Sequence, residues 1–263
     1  MSRTTVISFA NNKGGSGKTT TASNVACAMA KMGKKVLLID GDMQLNLTLS
    51  YFDEERALGF AESGKNIYTA IKEERDLDGY IVPTDYEGLD MIPSSSLMSS
   101  IEFDLFTKWQ RELILKKCLA PTLARGYYDF VLIDAPPTLG GWVMNIMCAS
   151  DFVIIPVEAS PWGLFGLANM FDFIAQVKNI APRLEVMGIA ITKADERKNY
   201  FKQTLETLKD SDIARLFETY VRVDSAIEWS QDNSKPVVDF KKYSRSALEY
   251  KKLTKEILKY ADR

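Results

Sequence analysis

The sequence predicts an α/β fold: a mostly parallel, twisted sheet flanked by helices on both faces, built as a single domain over residues 1–263. Three observations carry this. Short, continuously apolar runs alternate with stretches of helical periodicity along the whole chain. The apolar runs lack the in–out alternation of a sheet with one wet face, so they fit strands covered on both sides. Three polar sequences, at 11–20, 40–42 and 134–138, fall where such runs end, and ligands of parallel sheets sit at the carboxyl ends of the strands.

Residues 6–10 are an apolar run that stops at a glycine loop. Residues 19–32 carry apolar side chains at helical spacing and end at Gly33, a natural C-cap. Runs 36–39, 89–92, 130–133, 152–157 and 186–191 read as further buried strands. Helical segments fill the intervals at 67–74, 105–119, 142–149, 164–177 and 199–208, and a last helix spans 245–260. The polar stretch 52–64 reads as a loop. No internal repeat, low-complexity tract or clear linker divides the chain.

Composition narrows the chemistry. A chain of 263 residues is long enough to bury a sizeable core, and 46% hydrophobic with 26% charged residues is ordinary for a globular protein. A net charge of -2 argues against a wholly basic nucleic-acid binder but leaves room for a local basic patch. Cys27, Cys118 and Cys148 lack metal-like spacing and read as small buried residues of a reducing cytosol. The absence of histidine removes histidine-based triads and histidine-ligated metals. Any hydrolysis must then run on carboxylates, lysine, Mg²⁺ and backbone dipoles. The N-terminus leads directly into a strand, so no signal peptide is expected. The longest apolar runs, such as 152–157, fall far short of the about 20 residues that span a bilayer.

Lys13-Gly14-Gly15-Ser16-Gly17-Lys18-Thr19-Thr20 follows a strand and opens a helix. The ordinary phosphate-loop pattern asks for glycine six residues before the lysine, where this chain has Asn12. The physics of the loop survives the exception. Gly14, Gly15 and Gly17 let backbone N–H groups approach phosphate oxygens. The helix N-terminus favours an anion. Lys18 is placed to reach the outer phosphates and the Thr19 hydroxyl to ligate Mg²⁺.

Lys13, five residues before Lys18, resembles the signature lysine of the deviant Walker A loop in ParA/MinD ATPases. The fold that this implies is a P-loop NTPase with a deviant Walker A. The resemblance implies that Lys13 contacts phosphates bound by a partner subunit across a nucleotide-sandwich dimer. Comparable positive charge on a transferring phosphoryl is worth roughly 10³–10⁵ in rate, or about 4–7 kcal/mol. Leu37-Leu38-Ile39-Asp40-Gly41-Asp42-Met43-Gln44 resembles the family's switch I segment D-x-D-P-Q-G-N, with Met43 in place of the proline and Leu45 in place of the glycine. It implies that Asp42 positions or activates the attacking water and that Asp40 supports the Mg²⁺ shell. Phe130-Val131-Leu132-Ile133-Asp134 resembles a Walker B strand, so that Asp134 would hold Mg²⁺, and Ala135-Pro136-Pro137 resembles the start of switch II.

The resemblance covers nearly the whole chain. Ile155-Pro156-Val157 followed by Leu164, Gly166 and Leu167, the stretch with Thr192, Asp195 and Arg197, and the end with Lys235-Pro236-Val237 and Ser244-Arg245 all resemble ParA/Soj-type partition ATPases. Thr192 and Arg222 are carried as nucleotide contacts, Arg222 close to the base. Thr192-Lys193-Ala194-Asp195 also fits the T-K-x-D pattern by which related GTPases read guanine; ATP is preferred over GTP. The absence of an N-terminal helix-turn-helix extension points to the short class of the family. The resemblance implies a cytoplasmic, nucleoid-associated switch: an ATP-dependent homodimer that binds DNA non-specifically and is stimulated by a ParB-like centromere-binding protein.

Between 235 and 263 nine basic residues face four acidic ones, an excess of five within a chain of net -2. Non-specific DNA binding needs such phosphate-neutralising cations on one face. Lys241, Lys242, Arg245, Lys251 and Lys252, with Lys198 and Lys202 after Arg197, are the candidates; a solvated helix face is the competing reading. A MinD-like membrane-cycling ATPase is the alternative function. It calls for a C-terminal amphipathic helix with an apolar face for lipid. The short, mixed end Glu256-Ile257-Leu258-Lys259-Tyr260-Ala261-Asp262-Arg263 reads instead as core packing, and no stable membrane association is expected. Tyr243, Tyr250 and Tyr260 lie at helix-like spacing and are expected to be packed. Cys148 alone cannot ligate the cluster of an electron-transfer relative.

Overall fold

Strands β1 (Thr5–Phe9) and β5 (Phe130–Asp134) lie side by side at the centre of the sheet, with Phe9 opposite Asp134. This places the end of the glycine-loop strand next to the acid that ends the 130–133 run. The computed structural model describes residues 3–160, 164, 166–211 and 213–261. The other strands are β2 (Val36–Asp40), β3 (Val82–Pro83), β4 (Leu89–Ile92), β6 (Phe152–Glu158) and β7 (Glu185–Thr192). Their order is β3-β4-β2-β5-β1-β6-β7, parallel throughout except for the short β3. β2 pairs with the other side of β5 and sets Asp40 opposite Asp134.

Successive strand residues feed opposite cores. Val131 and Ile133 join one apolar cluster, Phe130 and Leu132 the other. Both faces are therefore apolar, as continuous hydrophobic runs require. Helices α1 (Lys18–Lys31), α11 (Val237–Phe240) and α12 (Arg245–Ala261) cover one face. The other lies under α4 (Ile67–Lys72), α6 (Ile114–Ala124), α7 (Gly141–Ala149), α8 (Leu167–Lys178) and α9 (Asn199–Asp210).

The structure corrects three readings. Residues 105–119 are not one helix: α5 (Ile101–Phe106) ends, Gln110 takes a left-handed φ of 52°, and α6 restarts at Ile114. The restart is held from a distance, because Asn145 of α7 accepts from Leu115 N (3.2 Å) and donates to Arg111 O (2.6 Å). Residues 52–64 are not a loop. They contain α3 (Glu54–Glu62), capped by Asp53 accepting from Arg56 N at 2.9 Å, with Glu54 and Glu55 favourably placed at the positive end of the helix dipole. Short α2 (Asn46–Leu49) and α10 (Ser225–Asp232) add to the expected elements. The helix anticipated at 164–177 begins at Leu167, and residue 165 of that span lies outside the described residues.

Beyond β7, residues 215–223 run parallel along its outer edge. Ile189 N donates to Arg215 O (2.8 Å), Phe217 N to Ile189 O (3.0 Å) and Val221 N to Ile191 O (2.9 Å). This segment carries Arg222 past the end of β7, where Thr192 lies.

Candidate functional site

A cleft of about 820 Å³ opens at the carboxyl ends of the central strands. The glycine loop, Asp42, Pro137, Thr192, Lys193 and the 221–224 segment line it. Its size suits a nucleotide-sized ligand.

The loop owes its course to glycine. Gly15 and Gly17 have φ of 73° and 86°, in the left-handed region that a side chain disfavours. A Cβ on Gly17 would also press within 3.2 Å of the Thr192 side chain. Thr192 Oγ1 donates to Ser16 O at 2.8 Å, so Thr192 buttresses the loop from beneath as well as lining the cleft. The positive end of α1 faces the loop with no acidic residue in its first turn, which leaves the helix dipole available to an anion. Gly14 and Gly15 are exposed, Ser16 is buried, and Thr19 and Thr20 are half-buried at the head of the helix.

Lys18 is buried, and its Nζ donates to Lys13 O at 3.2 Å. Burial lowers its pKa, while Asp134 and Asp42 oppose that by attraction. Asp134 is fully buried, and neither carboxylate oxygen has a hydrogen-bonding partner of normal geometry. Burial first, and then the nearby Asp40, raise its pKa well above the carboxylate range; the Thr19 hydroxyl and Lys18 pull the other way. An unpartnered buried carboxylate is costly unless something cationic or a donor meets it. A hard divalent cation, held by Thr19 and Asp134 through oxygen and completed by phosphate oxygens and water, fits this donor set. No group of three or more acidic or cysteine side chains among the described residues could hold a metal unaided.

Asp40 is held by three donors. Its Oδ2 accepts from Thr48 N (2.8 Å) and Thr48 Oγ1 (2.7 Å), and its Oδ1 accepts from Asp42 N (3.1 Å). Both oxygens are engaged in shaping the turn after β2. Burial pushes its pKa up to about 6 against those hydrogen bonds. Asp42 lines the cleft, and its Oδ1 accepts from Gln44 N at 3.1 Å. Leu45 adopts φ 57°, the left-handed conformation a glycine would take without strain, and starts α2.

Lys13 is not among the residues lining the cleft. Its Nζ pairs with Glu158 Oε2 at 2.7 Å and donates to Ser160 Oγ at 3.0 Å, both at the end of β6. Arg222 lines the cleft but is held by two acids, Nε to Glu249 at 2.5 Å and Nη1 to Glu196 at 3.0 Å. Asp195 is clamped by Arg197 through Nε (2.8 Å) and Nη2 (3.0 Å), which hold its carboxyl down at about 2. Both its oxygens are thus engaged by Arg197. Lys193, at φ 50°, reaches toward Gly15 and lines the cleft, a neighbour that the sequence reading used only for base selection. Glu158, Glu102 and Trp142, whose contacts join distant segments, gave no local sequence signal.

The seven cationic candidates make no ion pair among the described residues. Lys198, Lys202 and Lys252 are exposed. Lys241 lies over the Trp229 and Phe240 rings, and Lys242 over Tyr243. Arg245 donates to Val223 O at 2.6 Å and Lys251 to Lys242 O at 2.9 Å. The nearby acids are otherwise engaged: Asp239 with Lys31, Glu249 with Arg222, and Glu256 with the Glu218 and Thr219 amides. Asp262 and Arg263, counted in the basic excess, lie outside the described residues. The apolar side of α12, with Ala247, Tyr250, Leu253 and Ile257, is buried in the core it shares with α1. Tyr260 packs on Phe152 as expected, whereas Tyr243, which precedes the helix, is exposed. No helix among the described residues is long and apolar enough to cross a membrane.

Strand, glycine loop and helix, with a buried carboxylate on the adjoining strand, define a P-loop nucleotide-binding domain. A family model described as AAA domain matches residues 4–186. The sporulation initiation inhibitor protein Soj of Bacillus subtilis (strain 168) is 32% identical over 253 residues, covering 96% of this chain and 97% of Soj. A plasmid partition protein of Borrelia burgdorferi B31, solved with AMPPNP, superposes with a TM-score of 0.82 at 29% identity, over 98% of this chain and 99% of that one. Cobyrinic acid a,c-diamide synthase from Mycobacterium smegmatis, solved with an ATP analogue and magnesium, gives a TM-score of 0.83 at 26% identity, over 98% and 96%. The chain belongs to the ParA/Soj family of AAA-domain proteins.

Proposed function

We propose that this protein is an ATP-dependent, dimerising switch for DNA partitioning, with Mg²⁺ as its metal. The observation that carries the nucleotide chemistry is the unpartnered carboxylate of Asp134, buried beside Lys18 and Thr19 at the head of α1. The loop N–H groups and Lys18 bind the phosphates. Thr19 and Asp134 hold Mg²⁺, which when bound neutralises charge on the transferring phosphoryl. Asp42 orients the attacking water, the natural task for a carboxylate in a chain without histidine. Asp40 acts indirectly by fixing the turn. Lys13 leaves Glu158 to reach a second subunit's phosphates.

The DNA reading is supported by the cations of the C-terminal segment, whose neighbouring acids Asp239, Glu249 and Glu256 are engaged by Lys31, Arg222 and backbone amides. The burial of the apolar side of α12 argues against its use as a lipid-binding helix. A ParB-like protein is the proposed stimulator of hydrolysis. For such a switch to work, the ATP state must bind DNA far better than the ADP state. ATP turnover measured with and without random-sequence DNA, beside a gel shift on that DNA and sedimentation with anionic liposomes, tests this directly. ATP-dependent DNA retention without liposome binding is expected. DNA binding indifferent to nucleotide, or liposome binding alone, overturns the proposal.

A further inference from the structure

We infer that Trp142 is a positioning residue for hydrolysis, holding through a single peptide group the turn that carries Asp42. The inference rests on the reading that Asp42 orients the attacking water.

Gly41 lies between Asp40 and Asp42 and is held from two sides, by the end of β5 and by α7. Its N–H donates to Asp134 O at 3.0 Å, and its carbonyl accepts from Trp142 Nε1 at 2.9 Å. The Gly41 carbonyl and the Asp42 N–H belong to one planar peptide group. That same N–H donates to Asp40 Oδ1 at 3.1 Å. The plane is therefore pinned at both ends, by an indole at one and a carboxylate at the other. This constrains the backbone from which the Asp42 side chain departs.

Position 41 has no room for a side chain. A Cβ there would stand 2.7 Å from Asp134 O, 3.1 Å from Ile146 Cδ1 and 3.3 Å from Trp142 Nε1. Glycine is what lets the two segments meet. The indole is itself fixed: Trp142 is 1% exposed, and Glu102 of α5 accepts from its backbone N–H at 3.0 Å and from that of Gly141 at 2.9 Å. A carboxylate across the first turn of α7 suits the helix dipole. The turn after Asp134 and the turn bearing Asp42 thus share one hydrogen-bonded joint. Any displacement of α7 is passed to the Asp42 turn through it.

Trp142→Phe keeps an aromatic ring in the same place and removes the N–H donor, leaving the Gly41 carbonyl buried and unpaired. Steady-state hydrolysis and nucleotide affinity are measured on wild type and variant, with Mg²⁺ present. The variant is expected to lose about tenfold in kcat while nucleotide Kd stays within about twofold. In a second protein Trp109, Trp162 and Trp229 are all replaced by Phe, so that Trp142 is the only indole. Its emission is expected to differ between the ATP-bound and ADP-bound states. An unchanged kcat in Trp142→Phe, an equal fall of kcat and affinity, or identical emission in the two nucleotide states each overturns the inference. Absence of hydrolysis by the wild-type protein would instead overturn the functional reading beneath it.

Discussion

Lys13 Nζ lies 2.7 Å from Glu158 Oε2, so in a single chain this lysine is neutralised by the strand next to its own loop. Reaching another subunit requires that pair to break. Both side chains are only about a quarter exposed, and a pair of this kind contributes about 1 kcal/mol or less. Glu158→Gln removes the charge and is expected to tighten ATP-dependent self-association by about fivefold at most. Lys13→Ala is expected to lose that association altogether. Sedimentation velocity with ATP and Mg²⁺ reads both. Weaker association in Glu158→Gln would show that the pair supports the dimer rather than opposing it.

Lys18 is buried against Asp134 and Asp42 and faces the loop. Its replacement removes the principal phosphate cation while leaving both carboxylates. Lys18→Ala is expected to lower ATP affinity by about a hundredfold or more, by analogy with the loss of a charge-assisted, partly desolvated hydrogen bond. Isothermal titration calorimetry measures it. Retained affinity would move phosphate binding to another residue, Lys193 first.

Asp42→Ala should separate binding from chemistry. Its carboxylate lines the cleft, and apart from its tie to Gln44 N it holds no part of the fold together. ATP-dependent dimers are expected to persist while turnover falls by about 10²-fold or more. An unchanged rate in single-turnover measurements would remove Asp42 from its role.

Asp134 and Asp40 make stability depend on pH in a stated direction. Burial raises both pKa values above the ordinary 3.8, Asp40 to about 6. The folded chain therefore binds more protons than the unfolded chain over that interval, and stability falls as pH rises. The Tm of the nucleotide-free protein in EDTA is expected to drop between about pH 4 and pH 7 from these groups. Asp134→Asn should flatten that slope and add about 1–3 kcal/mol near neutral pH. The same variant should lose Mg²⁺-dependent nucleotide hydrolysis. A variant less stable than wild type at pH 7 would mean that the carboxylate is compensated in the free protein.

Much of the site is legible in sequence because the phosphate loop is local. Its glycines, Lys18 and Thr19 stand within one turn of chain, and the strand and helix around them have opposite periodicities. The apolar run ending in Asp134 was equally readable, since both faces of a central strand are covered. What local reading misses depends on distant partners. Residues 105–119 keep a helical pattern, yet the break at Gln110 is set by Asn145 on another helix. The exposure of Phe103, Phe106 and Trp109 shows that the pattern there did not mark the core. Residues 52–64 read as loop because they are polar, although Asp53 followed by two glutamates is a helix start in its own right. The pairing of Lys13 with Glu158 joins residues 145 positions apart, and no spacing rule reaches that far.

The packing of α12 on α1 has a mechanical corollary. α1 starts at the phosphate loop, and its 14 residues make a rod about 21 Å long. Along its side lies the helix that bears Arg245, Lys251 and Lys252, fastened through Tyr250, Leu253 and Ile257. Close-packed interiors transmit displacement instead of absorbing it. The head of α1 at the glycine loop and the cations of α12 therefore belong to one packed unit, and a tilt of α1 would turn that charged surface with it.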